Sequence, residues 1–300
     1  MVAELPSRTY SSNMGMVNTV GLVLHPKRDS QTAVETIIDW SSGRQGTVLG
    51  LPEEIGRIDC SAVPVAASAM VERADLLVSL GGDGTMLRSM RLVAGRPTPV
   101  LGVNLGRLGF LAEIDIDGLP HALTKIDGHQ YQVEPRTAIT AKLPDGQVVT
   151  AFNDIALVRF PGDGIAAVEV LVEGCPFVRY SADAVIVATS TGSTAYSYSA
   201  GGPIVSPNVE GFLVIPAAAH STFNRAIMLS ADEGVDLDLL PSSGELAVEV
   251  DGRVLARVSP GHRISISAVR AAAQVVRLGD TTFYERARRK LRVSGSAEID

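Results

Sequence analysis

The stretch that most constrains this chain is residues 76–88, Leu-Leu-Val-Ser-Leu-Gly-Gly-Asp-Gly-Thr-Met-Leu-Arg. Its apolar opening is a short continuous run bounded by glycines, the pattern of a strand buried on both faces. Gly81, Gly82 and Gly84 end that run, and helical spacing follows from Thr85 to Val93, closed by Gly95. A strand buried on both faces needs helices above and below it, and the flanking sequence supplies them. Strand patterns at 19–26, 47–51 and 98–103 alternate with helical spacing at 32–40 and 66–73. This alternation predicts an α/β N-terminal domain, a parallel sheet with helices on both faces.

Near residue 130 the pattern changes to period-two alternation with tight turns. Residues 138–143, Pro144-Asp-Gly146 and 147–152 read as a hairpin, and 167–173, 246–250 and 263–267 alternate in the same way. Helical spacing returns at 283–292. A chain of 300 residues favours about two domains. The expected division is a flexible leader at 1–17, an α/β domain at 18–130 and a β-rich domain at 131–280. A C-terminal helix and tail at 281–300 would then return to the first domain.

Several classes of function are excluded. The longest apolar run, 212–219, has only eight residues and contains Pro216, against about 20 for a membrane-spanning helix. The start of the chain lacks the basic and apolar segments of a secretory signal. Cys60 and Cys175 stand alone, which predicts buried, inert thiols in a reducing cytoplasm rather than a disulfide or zinc framework. His25, His121, His129, His220 and His262 show no metal-ligand spacing. A formal net charge of −7 argues against general nucleic-acid binding, while leaving room for a local anion site built from backbone N–H groups.

The glycine-rich corner is such a site. Glycines let the backbone approach a ligand closely, and the start of the following helix offers unpaired N–H groups suited to phosphate. Asp83 stands out, because a carboxylate in a phosphate cradle repels its ligand. It could accept a proton from an attacking hydroxyl, position Mg2+, or simply cap the helix. A second block, 183–202, runs from a β-branched strand into small and hydroxylic residues, with Tyr196 available to stack on a ring. It reads as a ligand-lining segment. Gly162-Asp-Gly164-Ile-Ala-Ala167 matches a dinucleotide fingerprint but leads into an alternating strand, which removes the required helix.

In order along the chain, Gly81-Gly-Asp-Gly-Thr85, Asn104-Leu-Gly-Arg-Leu-Gly-Phe-Leu111, Asn153-Asp154, Thr191-Gly-Ser-Thr-Ala-Tyr196 with Ser199-Ala-Gly-Gly202, and Asp251-Gly252 resemble the NAD kinases. His25-Pro-Lys27, Phe283-Tyr284 and Lys290-Leu291 are similar to that family too, so the resemblance runs from residue 19 to 293. The first motif alone is shared with lipid kinases and phosphofructokinases; the block ending in Tyr196 is more specific. The resemblance implies transfer of the terminal phosphoryl group of ATP, or of polyphosphate, to the adenosine ribose 2′-hydroxyl of NAD, giving NADP. It implies Mg2+ or another divalent cation carried on the ATP phosphates, with no protein ligand assigned. Asp83 would be the catalytic carboxylate, and Gly81, Gly82, Gly84 and Thr85 the phosphate loop. NAD would be bound by Asp83, Gly84, Arg88, Phe110, Asn153, Asp154, Asp183, Thr194, Ala195, Tyr196, Ser197, Tyr198 and Ser199.

The implied partners are these small molecules, without nucleic acid or membrane, in a cytoplasmic homodimer or homotetramer. Ser190, Ala226 and Arg253 depart from the family pattern, which usually has proline, proline and glutamine there. Two other readings stay open. A lipid kinase would use the basic terminal helix, with Phe283, Ala287 and Leu291 on one face, against an anionic surface. A non-catalytic NAD(P)-binding paralogue would account for the departures.

Overall fold

A computed structural model describes residues 16–106 and 109–293. The expected leader therefore lies outside the described residues except for Met16 and Val17, as does the end of the tail, 294–300. The chain divides into two compact units, Pro135–Ala273 and the remainder.

The first unit opens with β1 (Thr19–Leu24), α1 (Gln31–Ser42), β2 (Thr47–Gly50), α2 (Pro52–Ile55), β3 (Val63–Pro64), α3 (Ala67–Arg73), β4 (Leu76–Gly81), α4 (Asp83–Leu92), β5 (Pro99–Asn104), β6 (Ile114–Asp115) and α5 (Leu119–Asp127). Its strands lie in the order β3-β2-β1-β4-β5, all parallel. Both faces are covered, as the continuous apolar runs require. Leu22, Leu24, Leu76, Val78 and Leu80 pack with Val34 and Ile37 of α1 and Leu123 and Ile126 of α5. On the opposite face Gly21 sits against Met70 of α3, and Gly102 against Met86 of α4 and the Ala112 backbone.

The second unit contains β7 (Gln132–Lys142), β8 (Val148–Ala151), β9 (Asp154–Arg159), β10 (Ala166–Val172), β11 (Cys175–Ala182) and β12 (Ala184–Thr189). A 3-10 turn (Thr191–Thr194) and the single helical turn α6 (Tyr196–Ser199) come next. Then follow β13 (Gly211–Ala217), β14 (Ile227–Ser230), β15 (Gly234–Leu239), β16 (Leu246–Val250), β17 (Arg253–Val258) and β18 (Arg263–Arg277). A six-stranded antiparallel sheet, β14-β13-β12-β9-β16-β17, packs against β11-β10-β15-β18 with β7 and β8. Their shared core takes alternate residues from each, among them Ile155, Leu157, Val185, Val187, Val168 and Val170. The hairpin forms as its Asp-Gly turn predicts, with Ile139 opposite Ala151. The fingerprint-like Gly162-Asp-Gly164 does lead into a strand, β10.

The last residues of β18 return to the first unit, where Gln274 and Val275 pair in parallel with Pro99 and Val100 of β5. The chain then enters α7 (Phe283–Leu291), capped by a reciprocal Thr282 and Glu285 box. One expectation needs correction: Cys175 is exposed, and Cys60, though packed against the core of the first unit, is only half-buried. On α7, Arg286 is 4% exposed while Arg288, Arg289 and Lys290 are exposed. No helix among the described residues is long and apolar enough to cross a membrane.

Candidate active site

In the first unit the chain steps outward from β1 through β2 to β3, then returns to the other side of β1 with β4 and β5. Ligands of open parallel sheets bind beyond the carboxyl ends of the strands at this reversal. His25 to Arg28 leave β1 there, and the glycine-rich motif leaves β4. His25 N–H donates to the Leu80 carbonyl at 2.8 Å, and Leu105 N–H to that of Gly81 at 3.1 Å.

Gly82, not Asp83, occupies the helix cap, and the Asp83 side chain makes no capping bond. Its carboxylate turns away from the helix and accepts the N–H of Phe110 at 3.0 Å and that of Leu111 at 3.1 Å. This close approach needs Gly109, since a Cβ there would run into the carboxylate. A Cβ on Gly84 would meet nothing within 4 Å, so the corner is open on that side.

Arg88, one turn further along α4, is anchored rather than free. It pairs with Glu54 at 2.5 Å and donates to the Leu24 carbonyl at 2.6 Å. Glu54, itself buried, accepts the Leu24 N–H at 2.6 Å, so Arg88 is tied to the end of β1. Arg57 donates to the carbonyls of His25 and Pro26. His25 Nδ1 accepts the N–H groups of Lys27 and Arg28, both at 3.1 Å. Burial pushes the imidazole pKa below its ordinary value, and the cations Arg28, Arg88, Arg57 and Lys27 push it the same way. A chain with a net charge of −7 thus gathers four cations around the end of β1, a field suited to an anion. Sequence reading missed Glu54, Arg57 and Arg28, because no spacing links them to the glycine motif.

The second unit gathers the other expected residues. Asp251, in the left-handed region at φ 47°, sits in the turn after β16. Its carboxylate accepts N–H groups from Phe152 (3.1 Å), Asn153 (2.7 Å) and Asp154 (3.3 Å). Thr189 N–H donates to the Asn153 carbonyl at 2.8 Å, its hydroxyl donates to that of Phe152 at 2.5 Å, and it accepts Gly192 N–H at 3.0 Å. Gly192 is required there, since a Cβ would collide with the Asn153 carbonyl. These bonds fix the Asn153-Asp154 backbone at the start of β9 through Thr189 and through Asp251, the latter nearly a hundred positions away.

Asp154 is 4% exposed. Burial, with Asp251 and Glu249 nearby, raises its carboxyl to about 7, against a single lowering contribution from the Tyr196 N–H it accepts. Tyr196 is raised too, chiefly by burial. It packs on Ala156, Ile186 and Leu213, the face of the six-stranded sheet away from the main core. Thr194 and Ala195 beside it are half-buried, Ser197 is buried, and Tyr198 and Ser199 are exposed. Asp183 lies at the far end of β12, where Arg159 pairs with it at 2.5 Å.

Two family models match the chain: the ATP-NAD kinase N-terminal domain over residues 20–131 and the ATP-NAD kinase C-terminal domain over residues 152–278. The NAD kinase of Moorella thermoacetica is 35% identical over 286 residues, covering 94% of this chain and 91% of that protein. NAD kinase 1 of Streptomyces avermitilis is 35% identical over 316 residues, covering 93% of this chain and 88% of its own. Among solved structures, yeast NADH kinase complexed with NADH superposes with a TM-score of 0.81 at 26% identity, over 94% of this chain and 89% of that one. An NAD kinase from Archaeoglobus fulgidus in complex with ATP gives 0.72 at 26% identity, over 92% of this chain and all of that one. The motifs, the two-part architecture and these matches agree: the chain belongs to the NAD kinase family.

Proposed function

We propose that this chain transfers the terminal phosphoryl group of ATP to the 2′-hydroxyl of the adenosine ribose of NAD, giving NADP. The observation that carries the reading is the Asp83 carboxylate, standing at the start of α4 beside the strand reversal where four cations gather. Phosphoryl transfer needs positioning and charge stabilisation more than covalent help. The N–H groups at the start of α4, with Lys27 and Arg28, would hold the donor phosphates, and Arg57 and Arg88 would keep the end of β1 in place beneath them. The ribose oxygen attacks the terminal phosphorus, the bond from that phosphorus to the bridging oxygen breaks, and ADP leaves. The hydroxyl proton passes to Asp83, whose two oxygens accept the Phe110 and Leu111 N–H groups, one each among the described residues, which leaves lone pairs for it.

Asn153 and Asp154 would take ribose hydroxyls and ring edges of NAD, with Tyr196 and its neighbours lining the dinucleotide and Asp183 at the rim. Among the described residues no group of three or more His, Cys, Asp or Glu could cage a metal. Mg2+ would then arrive on the phosphates of ATP, with no protein ligand assigned to it. Such an ion would neutralise phosphate charge. Polyphosphate as an alternative donor, a homodimer or homotetramer and a cytoplasmic location belong to the same proposal, supported by the family resemblance. The lipid-kinase reading loses its best support, since α7 buries Arg286 and Ala287 in the first unit.

The test is NADP formation from NAD, ATP and Mg2+, with wild type and Asp83→Asn. Loss of a general base costs about 10²–10⁴ in kcat. A folded Asp83→Asn protein that keeps more than about a tenth of wild-type kcat lies outside that range and removes Asp83 from the chemistry.

A further inference from the structure

The segment that meets Asp83 is held from behind by a buried charge cluster that the reaction itself does not use. Glu113 accepts from Arg277 at 2.8 Å and from Arg286 of α7 at 3.2 Å through one oxygen. Its other oxygen takes the Leu278 N–H at 2.9 Å. Arg277 also donates to Glu134 at 3.0 Å and to the Leu111 carbonyl at 3.3 Å. Glu113, Arg277 and Arg286 are all less than a tenth exposed. The Leu111 residue is therefore clamped from two sides: its N–H on the Asp83 carboxylate, its carbonyl on Arg277. A second link runs from α7 directly, because the Lys290 ammonium lies 5.5 Å from the centre of the Phe110 ring, and Phe110 N–H is the other donor to Asp83.

A helix that needed only to dock would bury an apolar stripe at lower cost. Buried ion pairs add little net stability over apolar packing, but their hydrogen bonds are directional. Apart from the Arg286 donation to the Thr281 carbonyl at 2.9 Å, these bonds converge on residues 111–113 or on the strand end that carries Arg277. The backbone of the same segment is pinned to β5 by the Glu113 N–H on the Gly102 carbonyl at 2.9 Å.

We propose that Glu113 and Arg286 are positioning residues for the phosphoryl transfer: through them the final helix sets where the Phe110 and Leu111 N–H groups hold the Asp83 carboxylate. The proposal rests on the reading of Asp83 given above and adds α7 as the element that aims it. Arginine at 286 fixes Glu113, Glu113 fixes Arg277, and Arg277 fixes the Leu111 carbonyl. Loosening that series lets the carboxylate rotate or shift while both substrate sites stay intact. A misplacement on the order of 1 Å costs up to about a hundredfold in rate.

The test uses the full chain with Arg286→Met and Arg286→Lys, in the wild-type and Asp83→Asn backgrounds. In the wild-type background Arg286→Met is expected to lower kcat about tenfold or more, with KM for NAD and ATP unchanged within about twofold. Arg286→Lys should recover part of the rate by restoring a donor. In the Asp83→Asn background Arg286→Met should add no further loss. Should Arg286→Met fail to fold, Lys290→Ala at an exposed position carries the same test with a smaller loss in kcat. Unchanged kcat in a folded Arg286→Met or Lys290→Ala protein overturns the proposal and leaves the role of Asp83 standing. Equal fractional losses in both backgrounds also overturn it, because the helix would then act by another route. An Asp83→Asn enzyme with near-normal kcat removes the reading of Asp83, and the proposal with it.

Discussion

Replacing Asp154 by asparagine should stabilise the protein, and only above a definite pH. Asp154 is 4% exposed and faces Asp251 and Glu249, which together with burial move its carboxyl from 3.8 to about 7. Between those values the native state holds a proton that the unfolded chain has already released. Stability therefore falls as pH rises through this window, by at most about 1.4 kcal/mol per pH unit. The full displacement corresponds to about 4 kcal/mol, and water entry on ionisation reduces what is observed to about 2–4 kcal/mol. Asparagine keeps the size and an acceptor oxygen for the Tyr196 N–H but has no charge to bury. The difference in unfolding free energy, variant minus wild type, should be near zero at pH 4 and reach its plateau above pH 7. Urea unfolding followed by circular dichroism at half-unit pH steps measures it. Because both proteins share every other titrating group, the subtraction isolates this one. A difference that stays constant with pH, or a variant less stable than wild type at pH 8, refutes the argument.

Two further outcomes follow from local geometry. Gly192→Ala puts a methyl into the Asn153 carbonyl, where backbone on both sides must yield; we expect a loss of about 1–3 kcal/mol and a higher KM for NAD than for ATP relative to wild type. Chemical unfolding and steady-state kinetics read the two effects, and normal values for both would show that the contact relaxes freely. Thr282→Ala removes one half of the capping box of α7, costing about 1 kcal/mol, or roughly 2–4 °C in Tm for a unit of this size. An unchanged Tm would mean that the cap adds nothing to the docking of the helix.

The fold class was legible because the relevant signals are local. The apolar runs that become β1, β4 and β5, the alternation that becomes β16, and the helical spacing that becomes α4 and α7 each lie within a dozen residues. Family membership was legible from motif order. The surroundings of the motif residues were not. The Thr191–Ser199 region reads as a ligand-lining segment without periodicity, and it folds as a 3-10 turn and a helical turn. Its hydroxyls bond the chain to itself: Ser190 donates to the Val209 carbonyl at 2.5 Å and Ser193 to that of Ser190 at 2.8 Å. Propensity cannot report such partners. Asp83 can also be read as a cap, and the approach of residues 109–111 shows what its carboxylate holds. Arg286 counts as a surface charge by periodicity, since its burial depends on Glu113 in a distant segment. Glu54, on a four-residue helix between strands, carries no pattern at all.

The placement of Glu113 bears on how the chain can fold during synthesis. Its partners Arg277 and Arg286 are 164 and 173 residues downstream. At roughly 5–20 residues per second, they leave the ribosome roughly 8–35 s after Glu113 does. Until then the first unit has its glycine-rich corner and most of its sheet, but a carboxylate in its interior with no cation to meet it. The edge of β5 also waits for Gln274 and Val275. The part of the protein made first is thus completed by residues translated well after it. Shortening the chain before Arg277 would leave Glu113 without either cation and so destabilise the part of the fold made first.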